Sequence, residues 1–331
     1  MMSRSLLLAS CAIAFLATAC GGSASDTPGI VGNCPAAPAV VAANQSYPAV
    51  VAADNQYVYW LAAPDAASTL RAVMRAPVDA CNTTPSVFVS PGQISGLTLD
   101  TDRVFWCDAN GVESRPKAGG APTLLAKRSA VYCPLFADAT DVFFTSAAGI
   151  ERVNLASHQR SVVYGSTDQI RALAASAKSV YFISGDSVWR VPRAGGTRSA
   201  IATNQLAPSA LAVNATAVYW VDGGNSGVDT WTGGGSLMSA PLAGGAPVGL
   251  ASDLVGPTSL ALDSLDAFTA GHPTEAESIP LLRVPLAGGT PVTLVPALTG
   301  DPAGGVVAVD DKAVYYLLRD SVNRVAKSYS P

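Results

Sequence analysis

The sequence predicts an all-β protein built from seven repeats of about 40 residues each, on three observations. An aromatic tripeptide such as Val218-Tyr219-Trp220 recurs seven times, with central positions 46, 38, 38, 38, 49 and 47 residues apart. A short polar residue stands five positions before each central aromatic. A further strand follows each tripeptide, and in four repeats that strand leads into an Ala-Gly-Gly turn such as Ala194–Gly196.

The polar residue before each tripeptide predicts a tight turn. Short polar side chains accept hydrogen bonds from nearby backbone N–H groups and so fix such turns. We interpret all of these residues as turn caps, and the aspartates among them lack the pattern of a calcium-binding loop. The seven positions are Asp54, Asp100, Asp138, Ser176, Asn214, Asp263 and Asp310.

A column of arginines marks the third strand of five repeats. Because the column recurs around the chain, we interpret it as structural, with apolar stems lying over the sheet and charged heads in water. Its members are Arg75, Arg152, Arg190, Arg283 and Arg324.

Each repeat therefore predicts a sheet of four short antiparallel strands. The second strand is apolar on both faces, so both faces of every sheet must be covered by neighbouring sheets. Four-stranded sheets arranged in this way form a ring, the seven-bladed β-propeller. The last repeat has only three strands, and the early segment Pro38–Ala42 belongs to no repeat. We predict that this N-terminal strand completes the last blade.

The N-terminus has the pattern of a bacterial lipoprotein signal. Arg4 precedes the apolar run Leu6–Leu16, and small residues lead to Cys20. We predict a signal peptide over 1–19, a lipidated Cys20 with a tether over 20–33, and the propeller over 34–331. Leu16 stands four residues before Cys20, where such signals usually have an aliphatic residue at three. A match that ends at Cys11 fits this spacing better but would leave too short an apolar segment. An ordinary cleaved signal peptide, without lipidation, is the alternative.

Four further cysteines lie in the exported part, where disulfides form. Four cysteines allow three pairings, and the repeat register selects one of them. It places Cys34 and Cys81 together where the last blade meets the first, and Cys107 beside Cys133 on the opposite rim of blades 2 and 3. The alternative, a metal site, is disfavoured because the four cysteines divide between two faces without a CxxC motif.

The repeats resemble those of known propellers. The segment Ala217–Asp222, preceded by Leu211–Asn214, is similar to the YWTD repeats of low-density-lipoprotein-receptor propellers. The repeats also look like those of bacterial secreted propellers and predicted lipoproteins with a VYW…RVPLAGG pattern. The receptor class usually has six blades and a Thr that every repeat of this chain lacks. The resemblance implies a blade structure and transfers no catalytic residue.

The longest loops join second to third strands on one face, which is the predicted ligand face. They gather acidic residues, an amide, a tryptophan and a histidine that could contact a sugar or a peptide, although solvated loops explain the same composition. The candidate residues are Asp222, Asn225, Asp229, Trp231, His272, Glu275 and Glu277.

These patterns favour a cell-envelope propeller, with the outer membrane preferred, that binds an extracytoplasmic protein or glycan. We predict no cofactor and no metal, and the net charge of −4 with dispersed basic residues disfavours nucleic acid. A scaffold for assembly is a second possibility. An enzyme is the alternative class, namely a lyase or hydrolase that acts on a polymer through the same face, with His272 as the candidate base.

Overall fold

The computed structural model describes residues 34–63, 65, 68, 70–127, 133–224, 226–227, 230–231, 234–271, 279–298 and 306–330. Seven four-stranded antiparallel sheets contain every strand of this described part except those of one two-stranded hairpin. The innermost strand of each sheet contacts the innermost strand of the next, and the seventh contacts the first. The predicted fold, a seven-bladed β-propeller, is confirmed.

The strands follow the repeats of the sequence. Blade 1 contains β2 (Ser46–Ala53), β3 (Tyr57–Ala63), β4 (Arg71–Pro77) and β5 (Ser86–Gly92). Blade 2 contains β6 (Gly96–Leu99), β7 (Arg103–Cys107), β8 (Val112–Pro116) and β9 (Thr123–Ala126). Blade 3 contains β10 (Leu135–Ala137), β11 (Asp141–Ser146), β12 (Gly149–Asn154) and β13 (Arg160–Gly165). Blade 4 contains β14 (Ile170–Ala175), β15 (Ser179–Ser184), β16 (Ser187–Pro192) and β17 (Ser199–Ala202).

Blades 5 and 6, like blade 1, have long connections between their second and third strands. Blade 5 contains β18 (Pro208–Val213), β19 (Ala217–Asp222), β22 (Gly235–Pro241) and β23 (Val248–Leu254), with a two-stranded hairpin of β20 (Ser226–Gly227) and β21 (Thr230–Trp231) between its second and third strands. Blade 6 contains β24 (Pro257–Leu262), β25 (Asp266–Gly271), β26 (Ile279–Pro285) and β27 (Val292–Leu298). Blade 7 contains β28 (Val307–Val309), β29 (Ala313–Leu318), β30 (Ser321–Ala326) and β1 (Ala39–Ala42).

The ring closes through the pairing of the early chain with the late chain. Strand β1 runs antiparallel to β30, with Ala39 opposite Arg324 and Val40 opposite Asn323. Val41 and Ala42 are fully buried in a cluster that also contains Trp60 of blade 1. The predicted completion of the last blade by the N-terminal strand is therefore present in the structure.

The second strands form the core of the molecule. Trp60 packs towards blade 7 while its neighbour Tyr59 packs towards blade 2, since successive side chains of a strand point to opposite faces. Both residues are completely buried. Each second strand thus contributes to two interfaces between blades, as its apolar pattern predicts.

The seven predicted turn caps all accept backbone hydrogen bonds. Asp54 Oδ1 accepts from the N–H groups of Gln56 and Tyr57, both at 2.7 Å. The other six positions use the same two-donor geometry in their own blades. These turns define the turn face of the propeller, and we call the opposite face the loop face.

The prediction that the guanidinium groups of the arginine column lie in water was wrong. Arg75 donates to the carbonyl oxygen of Lys117 at 3.0 Å, and Arg190 donates to that of Leu242 at 3.0 Å. Arg152 and Arg283 make the corresponding contact in their own blades. Each acceptor lies in the next blade, just after its third strand, so the guanidinium groups connect adjacent blades. The fifth member, Arg324, is buried at 7% exposure.

Ion pairs reinforce three of these junctions on the turn face. The residue after the third strand of one blade reaches back to the turn cap of the preceding blade. Lys117 Nζ lies 2.8 Å from Asp54, Arg193 lies 2.7 Å from Asp138, and Lys327 lies 2.6 Å from Asp263. The same carboxylates therefore fix a turn and connect two blades.

The two predicted disulfides are present. Cys34 is bonded to Cys81, which lies between β4 and β5 on the turn face. Cys107 at the end of β7 is bonded to Cys133, just before β10, on the loop face. The first bond fastens the chain that precedes β1 to blade 1 and so reinforces the closure of the ring.

Removal of the closure disulfide should weaken the whole fold. We expect the double variant Cys34→Ser/Cys81→Ser to lose about 2–4 kcal/mol of unfolding free energy, because the cross-link restricts a long segment of the unfolded chain. Urea unfolding followed by fluorescence measures the loss. The pair Cys107→Ser/Cys133→Ser is the control and should lose less, since its cysteines are 26 rather than 47 residues apart. Equal stability of the wild type and the first variant would contradict the role assigned to this bond.

Candidate functional site

The loop face carries all the long connections between second and third strands. These connections comprise residues 64–70 in blade 1, 223–234 in blade 5 and 272–278 in blade 6. In blade 4 only Gly185 and Asp186 separate the two strands. The first-to-second turns on the turn face do not vary in this way, because each has three residues between its strands and begins with a cap of Asp, Asn or Ser.

The structure describes part of the predicted ligand face. Asp222 is the last residue of β19, and the backbone of Trp231 lies in β21. The other predicted residues lie outside the described residues, and their grouping stays a prediction. They are Asn225, Asp229, His272, Glu275 and Glu277.

Asp222 is a buried carboxylate at the base of the longest loop. Its side chain is only 6% exposed, and no group of the described chain donates a hydrogen bond to its Oδ1 atom. Burial raises the pKa of Asp222 to about 6, although the nearby N–H groups of Trp220 and of the Leu206 backbone favour the ionised form. A buried carboxylate oxygen without a donor is costly, and none of the described residues offsets this cost.

A tryptophan–glutamine hydrogen bond involves the strand that ends at Asp222. Trp220 Nε1 donates to Gln205 Oε1 at 3.0 Å, while the Gln205 side chain donates to the carbonyl oxygen of Thr203. The backbone N–H of Gln205 donates to the carbonyl oxygen of Asp186 in blade 4. The contact therefore fixes the connection between blades 4 and 5 on the loop face.

The same contact occurs in blade 1, and our sequence analysis missed it. Trp60 Nε1 donates to Gln45 Oε1 at 3.1 Å, and Gln45 N–H donates to the carbonyl oxygen of Asp320. The signal was the repeated Asn-Gln pair 15 residues before the tryptophan of both repeats. In blade 6 the equivalent residues, Leu254 and Thr269, cannot make this bond.

Blade 2 shows how Asp222 departs from a related arrangement. There Trp106 Nε1 donates at 3.3 Å to Asp108, which also follows the tryptophan by two residues. Asp108 Oδ1 accepts backbone hydrogen bonds from Asn110 and Gly111 within its own turn. Asp222 lacks such a turn and keeps one oxygen without a donor.

The turn face has cavities as well, but its carboxylates already have partners. A polar cavity of about 700 Å³ is lined by residues that include Asp54, Asp263 and Asp310. Asp54 and Asp263 pair with lysines, and Asp310 Oδ2 accepts from the Tyr315 hydroxyl at 2.7 Å. Within the described part of the chain, no three His, Cys, Asp or Glu side chains are grouped to hold a metal ion.

Comparison with known proteins gives the fold and no family. No protein-family model matches the sequence, and no curated protein is significantly similar. A computationally designed protein, Ika8, is 14% identical with a TM-score of 0.54, over 87% of this chain and 99% of Ika8. PorZ, a bacterial surface component of the type-IX secretion system of Porphyromonas gingivalis, is 10% identical with a TM-score of 0.60, over 89% of this chain and 39% of PorZ.

A chain of a nidogen/laminin complex is also similar, at 16% identity and a TM-score of 0.43, over 74% of this chain and 81% of that one. We base no argument on a TM-score of that size. At these identities the likeness to solved structures establishes the β-propeller fold alone.

The raised pKa of Asp222 makes a prediction about stability. Its folded pKa of about 6 exceeds the ordinary value of 3.8, so the folded state binds the proton more tightly and loses stability as pH rises between these values. We expect Asp222→Asn to stabilise the protein by about 1–2 kcal/mol at pH 7 and by little at pH 4. Unfolding titrations over this pH range, beside the wild type, measure the difference. A gain that does not change with pH would contradict the assignment.

Proposed function

We propose that this chain is a cell-envelope lipoprotein whose loop face binds an extracytoplasmic protein or carbohydrate. The observation that carries the proposal is Asp222, a buried carboxylate at the base of the longest loop, one oxygen of which has no donor among the described residues. None of the described residues offsets the cost of burying this oxygen, and carboxylates in such surroundings are typical of functional sites. The ring below fixes the ends of the strands from which these loops extend.

The path of the N-terminus supports anchoring in this orientation. Strand β1 begins at the turn face, and Cys34 is bonded there to Cys81. A tether over 20–33 would therefore leave the propeller from the face opposite the long loops. A lipid on Cys20 would hold the turn face towards the membrane and present the loop face to partners.

The sequence supports a bacterial lipoprotein with its propeller outside the cytoplasm, related to secreted propellers with VYW…RVPLAGG repeats. In the part of the chain that the structure describes, no helix is long and apolar enough to cross a bilayer. Cys20 and the signal lie outside the described residues. Gly21 follows Cys20 in place of the Asp that often marks inner-membrane retention, which favours the outer membrane.

Lipidation can be tested directly. We expect the full chain, expressed in a bacterium that processes lipoproteins, to incorporate labelled palmitate, and Cys20→Ala to abolish the label because the acceptor thiol is lost. Cys11→Ala is the matched control and should keep the label. Labelling that persists in Cys20→Ala and disappears in Cys11→Ala would overturn the assignment of the anchor.

Binding through the loop face can be tested by shortening one loop. We expect the purified protein to bind at least one member of a panel of glycans and envelope proteins. Replacement of 223–234 by the Gly-Asp connection of blade 4 should then weaken binding at least tenfold, while the melting temperature changes little. An insertion of Gly and Ser residues after Gly288, on the turn face, is the control. Unchanged affinity of the shortened variant would contradict the proposed face.

The enzymatic alternative has its own readout in the same panel. A lyase or hydrolase would shorten a polymeric glycan during incubation, and His272→Ala would stop the cleavage. Cleavage that depends on His272 would replace the binding proposal with the enzymatic one.

A further inference from the structure

Three blades begin with the same bent connection on the loop face. The segments are 43–48 before blade 1, 203–208 before blade 5 and 252–257 before blade 6, and each ends in a proline. Each has two residues with positive φ, three positions apart. The first of the two is an amide or acidic residue, and the angles are 55° at Asn44, 57° at Asn204 and 59° at Asp253.

The second positive-φ position holds three very different residues. Blade 6 has Gly256 at φ 45°, blade 5 has Ala207 at φ 56°, and blade 1 has Tyr47 at φ 46°. Glycine adopts this conformation without strain, whereas a residue with a Cβ atom is strained there. Tyr47 therefore occupies a position for which the geometry favours glycine.

Burial of the Tyr47 side chain does not compensate for this strain. The Tyr47 side chain is 47% exposed, so much of its ring remains in contact with water. The following residue, Pro48, is buried, and β2 has register shifts between Ser46 and Ala49 and again before Val51. Such bulges re-aim side chains and are common next to binding sites, and strained residues cluster at ligand contacts.

The aromatic ring of Tyr47 contacts the last blade. The Arg319 guanidinium carbon lies 5.8 Å from the ring centroid, and Arg319 Nη2 lies 3.5 Å from the Tyr47 hydroxyl. The adjacent Asp320 carbonyl oxygen accepts from the Gln45 N–H at 2.7 Å. The connection that carries Tyr47 is therefore fixed to blade 7 and presents a positioned, exposed aromatic ring.

We propose that Tyr47 is a stacking platform for a sugar ring of a carbohydrate ligand; this rests on the proposed binding role of the loop face. The ring contacts Arg319, and the residues close to these two along the chain include the polar Asn44, Ser46 and Asp320. A single apolar face surrounded by hydrogen-bonding groups matches a pyranose, which has an apolar C–H face and a rim of hydroxyls. A protein partner would favour an aromatic anchor within a wider apolar patch.

The test measures binding and stability in the same variants. Full-length chain purified in detergent is titrated with xylan, mannan, laminarin, dextran, polygalacturonate and soluble peptidoglycan fragments. We expect one of these to bind, Tyr47→Gly to weaken that binding at least tenfold, and Tyr47→Phe to retain it because the ring remains. Tyr47→Gly should also raise the melting temperature by about 2 °C, because the strain is relieved. Ala207→Gly is the matched control and should raise the melting temperature without affecting binding.

The outcomes separate this inference from the proposed function. Sugar binding that is unchanged in Tyr47→Gly would overturn the role of Tyr47 and leave the loop face as a binding surface. Binding of an envelope protein through the loop face, with no sugar bound, would overturn the carbohydrate ligand alone. No binding to sugars or proteins would overturn both. A lower melting temperature in Tyr47→Gly would show that the ring stabilises the fold and would also overturn the inference.

Discussion

The fold depends on the burial of both faces of each second strand. Residues such as Trp60 and Tyr59 are completely buried on opposite sides of one sheet, so every blade needs two neighbours. An open row of blades would expose such a surface at each end, and only a closed ring removes both ends. The pairing of β1 with β30 provides this closure and joins the two ends of the chain. The Cys34–Cys81 bond lies at the same junction and holds the closing strand near blade 1.

The two faces of the ring differ in their contacts. On the turn face, capped turns, arginines that donate to carbonyl groups of the next blade, and ion pairs such as Arg193 with Asp138 are repeated from blade to blade. Arg193 is 13% exposed, and its hydrogen bonds hold the pKa of Asp138 well below its ordinary value against the opposing effect of burial. Through these contacts, polar side chains of the turn face are paired with other groups of the protein. The loop face instead has the irregular features, including Asp222 with an oxygen that lacks a donor and Tyr47 with a strained backbone.

The repeat pattern allowed much of the fold to be predicted. The blade number, the capped turns, the closing strand and both disulfides follow from the register, because each depends on contacts that the repeat places at fixed positions. The arginine guanidinium groups were predicted to lie in water, and this was wrong because four of them donate to backbone carbonyl groups of the next blade. Backbone acceptors cannot be identified from residue types. The strain at Tyr47 also escaped prediction, since a backbone angle emerges only when the three connections are compared in space.

The sequence by itself determined that seven sheets form and that the first strand completes the last blade, because periodic burial of apolar side chains leaves one arrangement that covers every face. Only the tertiary structure decided how the two faces differ. It showed that Asp222 is buried with no donor to one oxygen among the described residues, and that Tyr47 is exposed at a backbone angle suited to glycine. Such properties depend on the surroundings of a side chain in space, which residue type and spacing do not specify.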